Sequence, residues 1–230
     1  MNKFKDGTVE YYEKIRSYIK PKSLILDYGS GRGSWFYNDN DKKRRNLRDL
    51  RHKESTVIGV DIDDAVLTNP TNHENYILTD EWVRENARMF DLISADFVLE
   101  HLDDKKKFYS NINTLLKDDG VFCARTPHKY SYVALMNTLI PSLFHHHILK
   151  KAQPKRESID VFKAYYRLNT LQDVDEIFNS YIDESYLFVP EPAYFNTNKF
   201  YRKILEFIHI YFPKFFSAQL FIFKTKVNGL

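Results

Sequence analysis

Short apolar runs alternate with helical periodicities along the first half of the chain. Val9, Tyr12, Ile15, Tyr18 and Ile19 recur at helical spacing, predicting a helix over Thr8 to Ile19 that Pro21 stops. Runs rich in Leu, Ile and Val then predict strands at Ser23 to Asp27, Thr56 to Asp61, Asn75 to Asp80, Phe90 to Asp96 and Val121 to Arg125. Between them lie helical patterns: one beginning near Ser34, then Ala65 to Leu67, Glu81 to Arg88, and Lys105 to Leu116, the last with Phe108, Ile112, Leu115 and Leu116 on one face. Strands that alternate with helices in this way build an α/β fold: a doubly wound, mostly parallel sheet with helices on both faces.

Past residue 125 the alternation loosens. Residues 126–170 are too long for an ordinary connection and read as an inserted cap after the fifth strand. Thr170 and Asp173 then form a capping box, with Leu171, Val174, Ile177 and Phe178 directed inward. Tyr186 to Val189 and Ala218 to Lys226 are the expected last two strands, completing a seven-stranded sheet. Between them Phe200 to Phe212 is a strongly aromatic helix ended by Pro213. The expected organisation is one domain over residues 1–230: a cofactor-binding core at 8–125, the cap at 126–170, and C-terminal helices with the last two strands at 171–230.

Charge narrows the function little. The 34 basic and 31 acidic residues leave a net +3, far from the excess of a dedicated nucleic-acid binder, so no nucleic-acid partner is expected. The dense charge of residues 38–54 reads as a solvated helix face and exit loop rather than a docking patch. A single cysteine, Cys123, and no apolar leader point to a cytoplasmic protein. The apolar stretches Tyr132 to Leu149 and Ile204 to Phe223 are interrupted by polar and charged residues and do not span a membrane. Aromatic content is high, at 16%. It reads first as a bulky core and second as an apolar acceptor cavity or a peripheral membrane contact through the aromatic C-terminal helix.

The stretch Leu24 to Gly33, LILDYGSGRG, carries the cofactor chemistry. Asp27-Tyr28-Gly29-Ser30-Gly31-Arg32-Gly33 spells DxGxGxG, whereas a dinucleotide fingerprint would place its third glycine at position 34, which is serine. A dinucleotide site aims helix N-terminal amides at a pyrophosphate. S-adenosylmethionine (SAM) instead offers an ammonium, which suits an acid at the strand end, Asp27. Asp61 closes the second strand and is placed to accept ribose hydroxyls. Asp80 closes the third and suits the adenine amino group, with Trp82 or Ile62 against the ring and Glu81 alongside. Tyr28 and Ser30 complete the cofactor-binding set from within the loop. An NAD-dependent enzyme and a non-catalytic SAM-binding or partner-binding protein are the rival readings.

LILDYGSGRG, VIGVDID, FDLISADFVLEHL, LLKDDG and VFCARTPH, in this order, resemble the class I SAM-dependent methyltransferases over roughly residues 10–130. FVLEHL and RTPH resemble most the bacterial subgroup acting on small molecules, sugars or lipid-linked precursors, in which a segment like DVFKAYYRLNT follows the fifth strand. The resemblance implies that Gly29, Gly31 and Asp61 contact SAM and that Asp96 and Phe97 line the site. LLKDDG departs from the usual LLKPGG, but Gly120 remains and the turn is expected to survive.

Methyl transfer from a sulfonium is an in-line displacement, so alignment dominates, and a hydroxyl acceptor also needs a base. Candidates are His101, His128 and, from the His145 to His147 run, His145. Adjacent histidines lack ligand spacing, so no metal site is assigned. Tyr166 and Arg167 suit an anionic acceptor, with a cap-anchoring salt bridge as the alternative for Arg167. Asn69-Pro70 lies after the second strand, not the fourth where Asn-Pro-Pro-Tyr of amino methyltransferases belongs. Oxygen or carbon is therefore the expected acceptor atom, in a small-molecule, sugar or lipid-linked acceptor.

Overall fold

The structure, a computed structural model, describes residues 4–51, 54–139, 163–192 and 199–227. Helix α1 (Gly7–Tyr18) is capped by Asp6, whose carboxylate accepts from the amides of Thr8 and Val9. Strand β1 (Leu24–Tyr28) runs into the glycine loop, followed by α2 (Trp35–Asn38) and α3 (Lys42–Arg48). Then come β2 (Thr56–Asp61), a 3₁₀ turn (Asp64–Thr68), β3 (Glu74–Ile77), α4 (Asp80–Glu85) and β4 (Phe90–Asp96). A second 3₁₀ turn (Leu99–His101) leads to α5 (Lys105–Leu115), β5 (Leu116–Pro127) and α6 (Tyr132–Leu139). The chain ends with α7 (Leu171–Ile177), β6 (Ile182–Asp183), β7 (Tyr186–Phe188), α8 (Lys199–Tyr211), α9 (Lys214–Ser217) and β8 (Gln219–Thr225).

The sheet order is β3-β2-β1-β4-β5-β8-β6, with β7 also on β8. Strands β1 to β5 are parallel, and β8 inserts antiparallel between β5 and the β6/β7 edge. The expected strand at Tyr186 to Val189 is β7, and a further short segment that was not expected, β6, precedes it on the same partner, separated by Glu184 and Ser185. There the Ser185 hydroxyl, in place of a backbone carbonyl, accepts from the amide of Phe223. Eight strand segments therefore fill seven strand positions.

Side-chain alternation explains the continuous apolar runs. Ile25, Leu92, Cys123 and Phe221 enter one core layer, with Tyr11, Tyr12 and Ile15 of α1. Their neighbours Leu26, Ile93, Phe122 and Ile222 enter the opposite layer, with Phe108 and Ile112 of α5 and Val174 at the C-terminal side. A strand covered on both faces has no polar side to show. Thr170 caps α7 by accepting the Asp173 amide at 3.0 Å, and Val174 and Phe178 are fully buried.

The LLKDDG turn forms, though not as a hairpin end. It is a bulge inside β5, where the register against β4 shifts between Phe90 and Leu92. Asp119 takes the left-handed conformation at φ 62°, and Gly120 is required by space, because a Cβ there would meet Leu116 at 2.8 Å. Two apolar stretches weighed for membrane character contain no crossing helix among the described residues.

Candidate functional site

The parallel arrangement brings the C-terminal ends of β1, β2 and β4 together, the edge where an open α/β sheet binds ligands. Gly29, Gly31 and Gly33 all have positive φ, at 71°, 53° and 65°. Their surroundings differ. A Cβ on Gly29 would meet Val98 at 2.5 Å and one on Gly33 would meet Asn69 at 2.2 Å, whereas nothing stands within 4 Å of one on Gly31. Gly29 and Gly33 are therefore closed against protein, and Gly31 opens onto the space a cofactor would fill. The site fits the group: an open glycine loop with carboxylates on both sides of it.

The loop is held from below by a polar latch. The Asn69 amide nitrogen donates to the Ser30 carbonyl, the Ser30 hydroxyl and the Gly31 carbonyl, at 3.1, 2.8 and 3.0 Å. Its oxygen accepts from the amide and hydroxyl of Thr71. Asn72 donates to the Ser30 hydroxyl and to Asn75. Asn69 lies after β2 rather than after β4, and that place is what lets it reach under the loop. The polar run Thr68-Asn69-Pro70-Thr71-Asn72 is the signal that sequence reasoning passed over.

Asp61 accepts the Gly31 amide at 2.9 Å on one oxygen and the Asp63 amide on the other. Asp27 accepts from the Ser30 hydroxyl at 2.6 Å, and burial pushes its carboxyl up to about 6, helped by the like charges of Asp96 and Asp61. Ile62, just past Asp61, is 77% exposed.

Asp96 has a different environment from the one expected. Its two oxygens take the Nε and Nη2 of Arg125 at 2.7 and 2.8 Å, and Tyr12 Oη donates at 3.0 Å. Burial alone would raise its pKa, but Arg125, with Arg48 and Tyr12, holds it below the usual carboxylate range. Arg125 is itself buried, reaches Thr8, and lies against the rings of Tyr11, Tyr12 and Phe97. Phe97 takes a left-handed φ of 58° and is partly exposed at the rim. Asp96 and Arg125 are register partners on adjacent strands, so a charge inside the apolar run VFCAR was a readable sign of a buried pair. Asp96 is thus the centre of an ion-pair network at the edge of the site.

Several expected site residues lie elsewhere. β3 ends at Ile77 and Thr79 caps the next helix, so Asp80 and Glu81 sit in the exposed first turn of α4 rather than at a strand end. Asp80 pairs with Lys107 at 2.9 Å. Trp82 turns into the core and stacks on Phe90, so its ring is not at the rim. The Tyr28 ring also points into the core, edge-on to Phe108, with its hydroxyl accepting from Asn111.

On the acceptor side, His128 is buried at the end of β5. Its Nδ1 accepts from the Tyr130 amide, and burial lowers its pKa. The ring thus lies between the turn that follows β5 and Phe215 of α9, with centroids 6.2 Å apart. His101 Nδ1 lies 3.0 Å from the Lys163 carbonyl; a carbonyl only accepts, so Nδ1 carries the proton and Nε2 the lone pair. His145 lies outside the described residues. Tyr166 is buried with φ 52°, and its amide and that of Tyr165 donate to the Glu100 carbonyl. Arg167 pairs with the Asp103 carboxylate at 2.9 Å, donates to the Asp103 carbonyl and lies 5.2 Å from the Tyr165 ring. That is the cap-anchoring alternative for Arg167.

Comparison with known proteins agrees with this geometry. The family model described as "Methyltransferase domain" matches residues 8–165. A SAM-dependent methyltransferase of Archaeoglobus fulgidus superposes with TM-score 0.56 at 15% identity, over 96% of this chain and 95% of that one. Phosphoethanolamine N-methyltransferase 2 of Haemonchus contortus, in complex with S-adenosyl-L-methionine, gives 0.54 at 14% identity, over 96% and 53%. The CurJ carbon methyltransferase gives 0.56 at 12% identity, over 97% and 54%. No curated protein matches the sequence significantly. The family match spans the glycine loop, the strand-end acids and the buried Asp96–Arg125 pair, and it removes the NAD-dependent alternative: the chain belongs to the methyltransferase-domain family and is a SAM-dependent enzyme.

Proposed function

We propose that the enzyme methylates an oxygen, or a carbon, of a small-molecule, sugar or lipid-linked acceptor, and that the lipid-linked kind fits best. The observation that carries this reading is the surface of α8 and α9. Ile204, Phe207, Tyr211 and Phe215 are exposed, Phe207 and Tyr211 by 55% and 70%. Residues 199–217 hold four basic residues and one acidic, an excess of three, equal to the net charge of the whole chain. An aromatic face with basic neighbours suits an anionic lipid surface. The same segment packs on the acceptor end of β5 through Phe215 on His128 and Phe216 on Tyr132.

On the cofactor side, Gly31 would give the close backbone approach, Asp61 would take the ribose, Ile62 would lie against the adenine and Asp27 would accept from the ammonium. Bound SAM supplies an electrophilic methyl on a sulfonium. The chain's own residues align the acceptor and take its proton. His101, which closes the turn after β4 with its Nδ1 tied to the Lys163 carbonyl, is the candidate base taken forward.

Incubating the protein with methyl-tritiated SAM and separate aqueous, lipid and nucleic-acid extracts tests the reading. Label is expected in the lipid fraction, at oxygen or carbon, and falls in His101→Gln. Label on nitrogen, or in nucleic acid alone, refutes it.

A further inference from the structure

The charged segment after the glycine loop was expected to be a solvated face, and Arg48 within it departs from that. Arg48, the last residue of α3, lays its guanidinium 4.6 Å from the Trp35 ring and 5.8 Å from the Tyr12 ring. Its Nη2 lies 3.6 Å from Asp96, beyond hydrogen-bond reach, and its Nε is buried with no hydrogen-bond partner. Stacking on rings does nothing for in-plane N–H donors, and a buried donor without a partner is costly.

The neighbouring acids are committed elsewhere. Asp96 already takes two bonds from Arg125 and one from Tyr12, and Asp39 takes Arg44 on both oxygens. Asp27 accepts from Ser30 and is close enough to Arg48 to be lowered by its charge, against the rise from burial. The ends of α3, β1 and β4 beside α1 therefore bring together a cation with an unpartnered donor and the Asp27 carboxylate. A zwitterion complements that arrangement, its anionic end on the guanidinium fork and its cationic end on the acid.

We propose that Arg48 recognises the methionine carboxylate of SAM, with Asp27 receiving the ammonium. The assignment rests on SAM as the cofactor and adds a residue that the strand-end acids did not reveal. The alternative, a structural cation that only offsets Asp96, predicts different behaviour toward a ligand without the amino-acid tail.

Titration calorimetry of wild type, Arg48→Ala and Arg48→Lys with S-adenosylhomocysteine and with 5′-methylthioadenosine separates the two. Arg48→Ala is expected to weaken S-adenosylhomocysteine roughly 10- to 100-fold, the scale of a hydrogen-bonded charge, and to leave methylthioadenosine unchanged. Arg48→Lys, a point charge in place of a fork, should fall between and carries the comparison if the alanine variant does not fold. Equal losses for both ligands, or a loss for neither, overturn the proposal. Wild type binding neither ligand would instead remove the SAM reading, and the proposal with it.

Discussion

Replacing Asn69 by Ala tests whether the glycine loop is preorganised by its latch. The amide nitrogen shares two N–H groups among the Ser30 carbonyl, the Ser30 hydroxyl and the Gly31 carbonyl, and the oxygen accepts twice from Thr71. Four hydrogen bonds at ~1 kcal/mol each set an upper figure near ~4 kcal/mol. Water can reach the open Gly31 side of the loop but not the buried Thr71, so a loss of about 2–3 kcal/mol is expected. Urea unfolding of apoprotein reads that loss directly. Affinity for S-adenosylhomocysteine should fall as well, because Ser30 and Gly31 no longer hold one conformation. Asn69→Asp sharpens the test: it keeps the acceptor for Thr71 but turns an anion toward two carbonyls, so it should cost more affinity than stability. A change below about 0.5 kcal/mol in Asn69→Ala, the scatter of ordinary surface substitutions, would refute the latch. Lost stability with unchanged affinity would refute preorganisation.

Gly31→Ala should fold with a loss of about 1–2 kcal/mol from its left-handed backbone, yet lose cofactor binding, since its Cβ enters the open space of the site. Gly29→Ala should lose more stability because Val98 stands 2.5 Å from the new Cβ, and Val98→Ala should restore part of it; circular dichroism melts and calorimetry distinguish the pair. Arg125→Met leaves Asp96 buried without its bidentate partner and should cost about 3–5 kcal/mol in urea unfolding, whereas Arg125→Met with Asp96→Leu should recover much of it. Asp27 binds its proton more tightly folded, at about 6, than its ordinary 3.8, so its contribution to stability is present below about pH 4 and is lost as pH rises to about 6. Cofactor affinity should run the other way, strengthening through pH 6 as the carboxylate forms, and Asp27→Asn should flatten both profiles.

The fold and the cofactor end were written locally and could be read. A strand covered on both faces must be apolar throughout, so Leu24 to Asp27, Thr56 to Asp61 and Phe90 to Asp96 announce a buried parallel sheet. Glycines forced to positive φ have few substitutes, so DxGxGxG announces the loop. The third strand misled because four residues of β3 are followed at once by a helix cap, and a pattern of apolar and acidic residues does not mark where the chain leaves the sheet. Asp80 therefore looked like a strand-end acid and stands instead in the first turn of α4.

The partners of charged side chains were decided by tertiary structure alone. Asp96 and Arg125 are 29 residues apart in sequence and adjacent only because β4 and β5 pair in parallel register. Arg48 lies in a run of charges indistinguishable along the chain, and only the packing of α3 on α1 turns it from solvent onto the Tyr12 and Trp35 rings beside Asp96. Asn69 reaches the glycine loop because a 3₁₀ turn folds back under it, and Arg167 meets Asp103 because the segment before α7 returns to the start of α5. Local patterns record burial and backbone conformation, which each residue experiences by itself. Which charges meet depends on separations that only chain folding sets.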